Sequence, residues 1–317
     1  MGATHFAGML YAQGAPVLPG GGLFGVAPEA VYHVRRQGAN AAYPDAYGSL
    51  QTAITHASAK GVKRPVFVVL DDIREEVIIP NTLADGTIIG SATRPRHGDA
   101  SPNAFGRDTS SWRNSTGVTT SPLCTVRAQG WRFINLLFVG PSASDCVLLV
   151  RNADDGLATE YDAGHASFIG CRFASGSNGI NDTGGCYNVL VKECLFQTLT
   201  GYCILGVGSI GNGQNYWIIE DNHFHGFTNG VKITGFGCRI TRNSFTDGGT
   251  PTTTVVLNLA SNGTGTDNFV VNNYFQTSTA NFNDPDVVGN ATDVWFNISK
   301  DATSAGVGGN YEAGTPA

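Results

Sequence analysis

The sequence has few charged residues, since Lys, Arg, Asp and Glu together make up 14% of its 317 residues. The formal net charge is −6, so we expect no basic face of the kind that binds the phosphates of a nucleic acid. No run of about 18 apolar residues is present, so we expect no membrane-spanning helix. The first residues lack the basic segment and apolar core of a secretion signal.

The sequence also lacks the short motifs that mark common cofactor and metal sites. It contains no CxxC pair, so a zinc ribbon is not expected, and no glycine-rich phosphate loop or G-x-S-x-G nucleophile motif. The seven cysteines include Cys171, Cys194 and Cys238 at predicted strand-interior or bend positions. We therefore expect mostly buried thiols outside disulfides, folding in a reducing cytosol, and no cofactor.

A recurring octet that ends in phenylalanine is the most informative pattern in the chain. Its six copies end 21 to 35 residues apart. They are WRFINLLF (131–138), ASFIGCRF (166–173), VLVKECLF (189–196), WIIEDNHF (217–224), CRITRNSF (238–245) and NFVVNNYF (268–275). A fixed segment at a period of about 20–35 residues with variable spacers is typical of stacked repeats.

Two columns of identical residue types follow if the octets stack in register. The final position forms a phenylalanine column of Phe138, Phe173, Phe196, Phe224, Phe245 and Phe275. Two residues earlier, at the predicted bend, stand Leu136, Cys171, Cys194, Asn222, Asn243 and Asn273. Buried asparagines stacked this way can satisfy one another's amide groups, and Cys171 and Cys194 would continue the column as small apolar fillers.

These columns and the coil length resemble the right-handed parallel β-helix of the pectate-lyase-like family, as found in bacteriophage tailspike, fibre and head-decoration proteins. The resemblance covers residues 62–300. It implies an all-β fold, a single-stranded right-handed parallel β-helix with an N-terminal capping α-helix and an extended N-terminal arm. The alternative is a β-sandwich with fortuitous spacing, which six aligned copies disfavour.

The ends of the chain differ in composition from the repeats. Residues 1–30, rich in Gly, Ala and Pro, are predicted to be an extended arm that docks on a partner, and residues 31–61 a linker and a capping helix. Ser49 is the expected N-cap and Gly61 the expected C-cap. The "YGSLQ" start of this helix is similar to helices that close β-helices of the family. Residues 301–317 form a Gly-rich tail.

Residues 91–122 interrupt the repeat pattern with a polar insertion. Trp112 beside Arg113 would stack on a sugar ring or anchor a partner subunit if it is exposed. The alternative is that Trp112 packs against the coil wall. Tyr274 is a second candidate platform for a glycan.

Candidate catalytic residues lie three positions before each phenylalanine, where we expect outward side chains. Glu193, Asp221 and Arg242 would then be stacked neighbours about 4.8 Å apart. Stacked carboxylates with an arginine could support calcium-assisted elimination or glycoside hydrolysis of a polysaccharide. The alternative is an exposed ion-pair ladder with Lys192 and Glu220. Lyase, esterase and polygalacturonase motifs of the family are missing.

His223 and His225 flank Phe224 and would point outward together, and His165 is a third histidine to consider. Without a third acidic ligand nearby, we expect no metal site there.

From the resemblance we expect a non-enzymatic virion protein of a tailed bacteriophage: a head-decoration, spike or tail-fibre protein. It would be assembled in the host bacterial cytoplasm, dock on other virion proteins through residues 1–30, form a homotrimer and contact host polysaccharide, with no membrane or nucleic-acid partner. The alternatives are a polysaccharide depolymerase, a lyase or glycoside hydrolase, and a glycan-binding module without catalysis.

Overall fold

The computed structural model describes residues 30–90, 110–152, 161–206, 214–235, 237–246 and 269–274, together with the backbone of strands at both ends of the chain. The first three strands form a small antiparallel sheet inside the predicted arm: β1 (Thr4–Phe6), β2 (Met9–Ala12) and β3 (Ala15–Val17). The arm therefore contains paired strands.

The remaining strands form three sheets, and between Val66 and Asp301 successive strands visit these sheets in turn, so that every third strand joins the same sheet. Sheet I contains β4 (Val31–Val34), β5 (Val66–Val69), β8 (Thr87–Ile89), β11 (Arg132–Ile134), β14 (Ser167–Ile169), β17 (Leu190–Lys192), β20 (Ile218–Glu220), β23 (Arg239–Thr241), β26 (Phe269–Val271) and β29 (Asp293–Trp295). Sheet II contains β6 (Ile73–Arg74), β9 (Ser111–Arg113), β12 (Leu137–Val139), β15 (Arg172–Ala174), β18 (Leu195–Gln197), β21 (His223–His225), β24 (Ser244–Thr246), β27 (Tyr274–Thr277), β30 (Asn297–Asp301) and β31 (Gly308–Tyr311). Sheet III contains β7 (Val77–Ile79), β10 (Cys124–Val126), β13 (Val147–Leu149), β16 (Ile180–Asp182), β19 (Tyr202–Gly206), β22 (Asn229–Thr234), β25 (Leu257–Ala260) and β28 (Val287–Gly289).

Neighbouring strands within sheets I, II and III are parallel, except that β31 in the predicted C-terminal tail pairs antiparallel with β30. This topology is a parallel β-helix, and the predicted fold is confirmed. The prediction missed β4, which begins sheet I ahead of the helix, in the segment expected to be a linker.

The single helix of the described residues, α1 (Leu50–Ala59), has the predicted N-cap and the predicted buried face, and its C-cap is Lys60, one residue before the predicted Gly61. The Ser49 hydroxyl accepts a hydrogen bond from the amide of Thr52, and Gly61 has a φ of +63° just after the C-cap Lys60. The buried face consists of Leu50, Ala53, Ile54 and Ala57. They join the same hydrophobic core as the coils, so the helix covers an otherwise open apolar end.

A carboxylate from the first coil fixes the start of this helix. Glu75 accepts hydrogen bonds from the amides of Leu50 (2.6 Å) and Gln51 (3.2 Å) and from the Ser49 hydroxyl (2.7 Å). The first amides of a helix lack partners within it, and a negative charge is stabilising at this end. Glu75 therefore ties the cap to the coil it covers.

The phenylalanine column is present as predicted. The six phenylalanines are paired in register on consecutive strands of sheet II. From Phe173 to Phe245 the ring centroids of successive coils lie 4.5 to 4.9 Å apart, with planes inclined by 5 to 10°. This distance matches the spacing of hydrogen-bonded strands, so backbone pairing and ring stacking reinforce each other.

The asparagine ladder is also present. The Asn243 side-chain oxygen accepts from the backbone and side-chain amides of Asn222, and the Asn273 oxygen accepts from the same two groups of Asn243, all at 3.0 Å. The Asn222 oxygen accepts from the amide of Cys194 at 2.9 Å. Each asparagine is nearly fully buried, so its amide replaces the hydrogen bonds that water would otherwise make.

The bend between sheets I and II lies one residue before the predicted position. Asn135, Gly170, Glu193, Asp221, Arg242 and Asn272 all have φ values between +51° and +62°. One residue with left-handed backbone conformation per coil is enough to turn the chain from sheet I to sheet II, and the buried Leu, Cys or Asn that follows is the first inward residue after the bend.

The insertion is shorter than the predicted range 91–122. Residues 111–113 form β9 in sheet II and residues 124–126 form β10 in sheet III, while residues 91–109 lie outside the described residues. Trp112 stacks on Phe138 with ring centroids 5.3 Å apart and begins the aromatic column.

All seven cysteines are buried thiols, as expected. Burial raises the pKa of the thiols of Cys124, Cys146 and Cys203, and it raises the pKa of Cys238 to about 12. Thiol reagents react with the thiolate, so both access and ionisation are suppressed.

We predict that the native protein gives almost no reaction with Ellman's reagent at pH 8 over minutes, and seven equivalents after unfolding in guanidinium chloride. The measurement is the absorbance of the released thiolate. Rapid reaction of one or more thiols in the native protein would contradict the burial described here.

Candidate functional site

A network of four ion pairs lies at the corner between sheets I and II. Lys192 and Glu220 occupy matching positions on neighbouring strands, and the lysine Nζ lies 2.7 Å from Glu220 Oε1. Arg242 donates through Nε to Asp221 Oδ1 (2.7 Å) and through Nη2 to Asp221 Oδ2 (2.9 Å) and Glu220 Oε2 (3.0 Å). We call Lys192, Glu220, Asp221 and Arg242 the corner cluster.

The electrostatics of the corner cluster hold each member in its charged form. The hydrogen bond from Lys192 lowers the pKa of Glu220, and the hydrogen bond from Arg242 lowers the pKa of Asp221. The same contacts raise the pKa of Lys192 and of Arg242. Every shift favours the ion-paired state.

These shifts oppose acid–base chemistry at neutral pH. A carboxyl group that acts as a general acid needs a raised pKa, and a lysine base needs a lowered one. Each of the four carboxylate oxygens of Glu220 and Asp221 already accepts a hydrogen bond from a cation of the protein. The geometry is therefore that of the ion-pair ladder, the alternative interpretation of this column.

The structure brings together two of the three candidate catalytic residues. Asp221 and Arg242 are in direct contact, as described above. Glu193 lies at the same corner one coil earlier, and its charge contributes to the raised pKa of Lys192.

Replacing Arg242 with Met is expected to lower the free energy of unfolding by about 0.5–1 kcal/mol at pH 7, because the side chain of Arg242 is 48% exposed and exposed pairs are weak. Because folding lowers the pKa of Glu220 and of Asp221, the stability they contribute is complete above about pH 5 and is lost as the pH falls through the lowered values. The two proteins should therefore converge in stability near pH 2–3, measured by urea unfolding across pH. A difference that stays constant down to pH 2 would contradict this account.

The predicted contact residue Trp112 is buried, so its ring is not available to a sugar or a partner. Its relative exposure is 0%, and its Nε1 donates to the Glu75 carbonyl oxygen at 2.9 Å. The alternative, packing against the coil, is what the structure has. Arg113 and Tyr274 are half-buried on the outside of sheet II, six coils apart, and do not share a site.

The three histidines do not gather a metal-ligand set. His223 Nε2 and His225 Nδ1 lie 2.8 and 3.2 Å from the same Thr246 hydroxyl, while the His165 ring packs edge-on against Tyr187. Within the described ranges, no three His, Cys, Asp or Glu side chains come together as they would around a metal ion.

Sequence reasoning missed an exposed aromatic residue at the corner between sheets III and I. Tyr216 is 51% exposed, and its φ is +58°. Its ring lies over Gly237, where a Cβ atom would be 2.6 Å from the ring. The sequence could have indicated that Tyr216 lies at a corner, because this residue directly precedes the octet that begins at Trp217.

A buried carboxylate was also missed. Asp182 is fully buried, and desolvation raises its pKa although it accepts hydrogen bonds from the amides of Gly184, Gly185 and Cys186 and from Gln214 Nε2 (2.7 Å). The contacts hold the turn that follows β16. With no exposure to solvent, Asp182 is a structural anchor.

No protein-family profile matches the chain, and no curated protein sequence matches it. Among solved structures, the Dettilon tailspike protein gp208 is similar with a TM-score of 0.45 and 15% identity, over 77% of this chain and 44% of that chain. The Escherichia coli protein YbhC is similar with a TM-score of 0.41 and 12% identity, over 92% of this chain and 89% of that chain. The chain therefore spans less than half the length of the tailspike.

No helix in the described part of the chain combines the length and the apolar character that crossing a membrane requires.

Proposed function

We propose that the chain is a non-enzymatic structural component of a tailed-bacteriophage virion, as a head-decoration, spike or tail-fibre protein. The observation that supports this most is the corner cluster, in which Asp221 and Arg242 of the candidate catalytic column are used, with Lys192 and Glu220, in ion pairs within the protein. A cluster built this way stabilises a rod and leaves none of its four charged groups poised for proton transfer.

The shape of the fold supports the same proposal. The ten strands of sheet I, spaced about 4.8 Å apart, give a rod about 43 Å long with aromatic and amide side chains stacked along its interior. Such a rod holds its two ends at a fixed distance from each other. In this proposal residues 1–30 dock on other virion proteins, the chain forms a homotrimer, and the particle is assembled in the host cytoplasm.

Immunogold electron microscopy tests the virion role. Antibodies raised against the purified chain are applied to phage particles prepared from the bacterium in which the chain is made. Pre-immune serum is the control. We expect gold at one structural location on intact particles. Purified particles that contain no trace of the chain by both labelling and mass spectrometry would contradict the proposal.

The depolymerase alternative is tested separately with purified protein and host surface glycan. We expect no release of oligosaccharide over hours. Release that is lost in Asp221→Asn and Glu193→Gln would establish the lyase or glycoside hydrolase alternative in place of our proposal.

A glycan-binding role without cleavage is the second candidate, and the exposed ring of Tyr216 favours it. Exposed aromatic rings are common contact surfaces for sugars because a ring face packs against apolar C–H groups. Isothermal titration with host glycan should then show binding that Tyr216→Ala weakens at least tenfold, with Tyr274→Ala as the comparison at the other candidate platform. Equal binding by the wild type and Tyr216→Ala would rule out this contact.

A further inference from the structure

Two histidine rings lie side by side on the outer face of sheet II. His223 and His225 are the first and third residues of β21, and Phe224 between them is buried in the core. Because side chains alternate along a strand, both imidazoles project from the same face, and both are half-buried. Parallel pairing with β18 on one side and β24 on the other holds the strand in place, so the backbone fixes where the two side chains are attached.

One nitrogen of each ring points at the same place. His223 Nε2 lies 2.8 Å and His225 Nδ1 lies 3.2 Å from Thr246 Oγ1, and the ring centroids are 5.9 Å apart. The Thr246 hydroxyl carries a single hydrogen atom and also lies 3.3 Å from the Phe224 carbonyl oxygen, so it can donate to only one of these three groups. A neutral imidazole can carry its proton on the other nitrogen, so both converging nitrogens can present a lone pair to one ion.

The two rings need only a small movement to hold an ion. Imidazole nitrogens bind Zn²⁺ at about 2.0–2.1 Å. A shift of about 1 Å in each ring brings both nitrogens to that distance from the point where the Thr246 hydroxyl now lies. Rotation of the Thr246 side chain moves the hydroxyl away from this point.

Nitrogen ligands select the class of ion. Imidazole suits Zn²⁺, Ni²⁺ and Cu²⁺, of which Cu²⁺ binds most tightly, whereas Ca²⁺ and Mg²⁺ are bound through oxygen. On β18 the residues in register with the pair are Leu195 and Gln197, and on β24 they are Ser244 and Thr246. None of the four is a carboxylate. With two protein ligands and no negative charge in register, the ion exchanges readily and keeps water at its other positions.

We propose that His223 and His225 form an exchangeable site for one divalent transition-metal ion, held by His223 Nε2 and His225 Nδ1. The expectation of no metal site at these histidines assumed that a third protein ligand is needed, which holds for a permanently bound ion and not for an exchangeable one. The remaining positions of the ion face solvent and are open to water or to a ligand from another molecule. The proposal does not depend on a role in a virion.

Equilibrium dialysis of the untagged full chain against Ni²⁺ at about pH 7.5 tests the site, with the bound metal counted by mass spectrometry. We expect one ion per chain and no comparable uptake of Ca²⁺. His223→Ala and His225→Ala should each weaken binding by at least about tenfold, because each removes one of the two ligands. The matched control is His165→Ala, which removes an exposed histidine at another corner and should bind like the wild type.

Electron paramagnetic resonance of the Cu²⁺ form counts the nitrogen ligands, and we expect splitting from two imidazole nitrogens that is lost in each single variant. Circular dichroism shows whether the variants are folded. If an alanine variant is unfolded, His223→Gln or His225→Gln replaces it, because glutamine keeps a hydrogen-bonding group toward Thr246 without an imidazole. A wild type that takes up no ion, uptake that is equal in the wild type and both histidine variants, or loss of uptake in His165→Ala would each overturn the proposal.

Discussion

Replacing Asn243 with Ala is expected to lower the free energy of unfolding by about 3–5 kcal/mol. The Asn243 oxygen accepts from two groups of Asn222, and its Nδ2 donates to the Ile219 carbonyl oxygen at 2.9 Å. Alanine would remove the side-chain partner of the Asn222 backbone amide and of the Ile219 carbonyl oxygen, while Asn222 Nδ2 keeps its hydrogen bond to the Val191 carbonyl oxygen (2.9 Å). Each buried group left unpaired costs about 1–3 kcal/mol. The measurement is guanidinium unfolding followed by tryptophan fluorescence.

The matched control for this variant is Asn272→Ala. Asn272 is an exposed asparagine at the corner of the next coil, with a φ of +57°. Alanine there loses no buried hydrogen bond and meets a backbone penalty of about 1 kcal/mol. If the two variants lose similar amounts of unfolding free energy, the loss in Asn243→Ala comes from backbone conformation and not from the asparagine ladder.

Replacing Phe224 with Ala is expected to lower the free energy of unfolding by a similar amount, about 3–5 kcal/mol. The ring of Phe224 is fully buried between Phe196 and Phe245, at centroid distances of 4.9 and 4.5 Å. Its removal leaves a cavity in the middle of the column, and the rigid coils above and below cannot close it. The free energy of unfolding is again measured by unfolding in guanidinium chloride.

Two further variants separate burial from ring stacking. Phe224→Leu keeps most of the apolar volume and should cost about 1.5 kcal/mol. Phe269→Ala removes a ring that is 45% exposed and should cost about 1 kcal/mol or less. A small effect of Phe224→Ala, comparable to that of Phe269→Ala, would be inconsistent with a packed aromatic column.

The interior of the fold could be predicted from the sequence because the interior repeats. Phe196, Phe224 and Phe245 occupy the same octet position, and one parallel register places them in one column. The asparagine ladder followed from the same alignment. The capping helix was predictable because Ser49 and Gly61 are local signals that need no knowledge of tertiary structure.

The sequence left both positions of Trp112 open, exposed or packed against the coil, because the insertion lies between two strands of one coil. Residues 91–109 separate β8 from β9, so the constant distance between the apolar residue of sheet I and the aromatic residue of sheet II is lost in that coil. Without that spacing, Trp112 resembled part of a polar loop. Its position in the column depends on pairing with Phe138, a contact that local sequence does not encode.

The candidate site was only half predictable. Stacking alone placed Asp221 beside Arg242, but the direction of the pKa shifts depends on hydrogen-bond geometry, which a sequence does not contain. The second and fourth positions of each octet, as at Leu190 and Ile218, are the outward positions of sheet I, and their half-burial depends on packing that a sequence does not contain.

A double-mutant cycle tests the central claim, that side chains 21 residues apart in sequence stack directly along a β-helix. Phe224→Leu, Phe245→Leu and the double variant are compared by guanidinium unfolding, with Phe138→Leu and Phe245→Leu as a pair far apart in the column. We predict a coupling energy of about 0.5–1.5 kcal/mol for Phe224 with Phe245 and values within about 0.3–0.5 kcal/mol of zero for the distant pair. Additive effects of Phe224→Leu and Phe245→Leu would contradict the stacked column and the fold built on it.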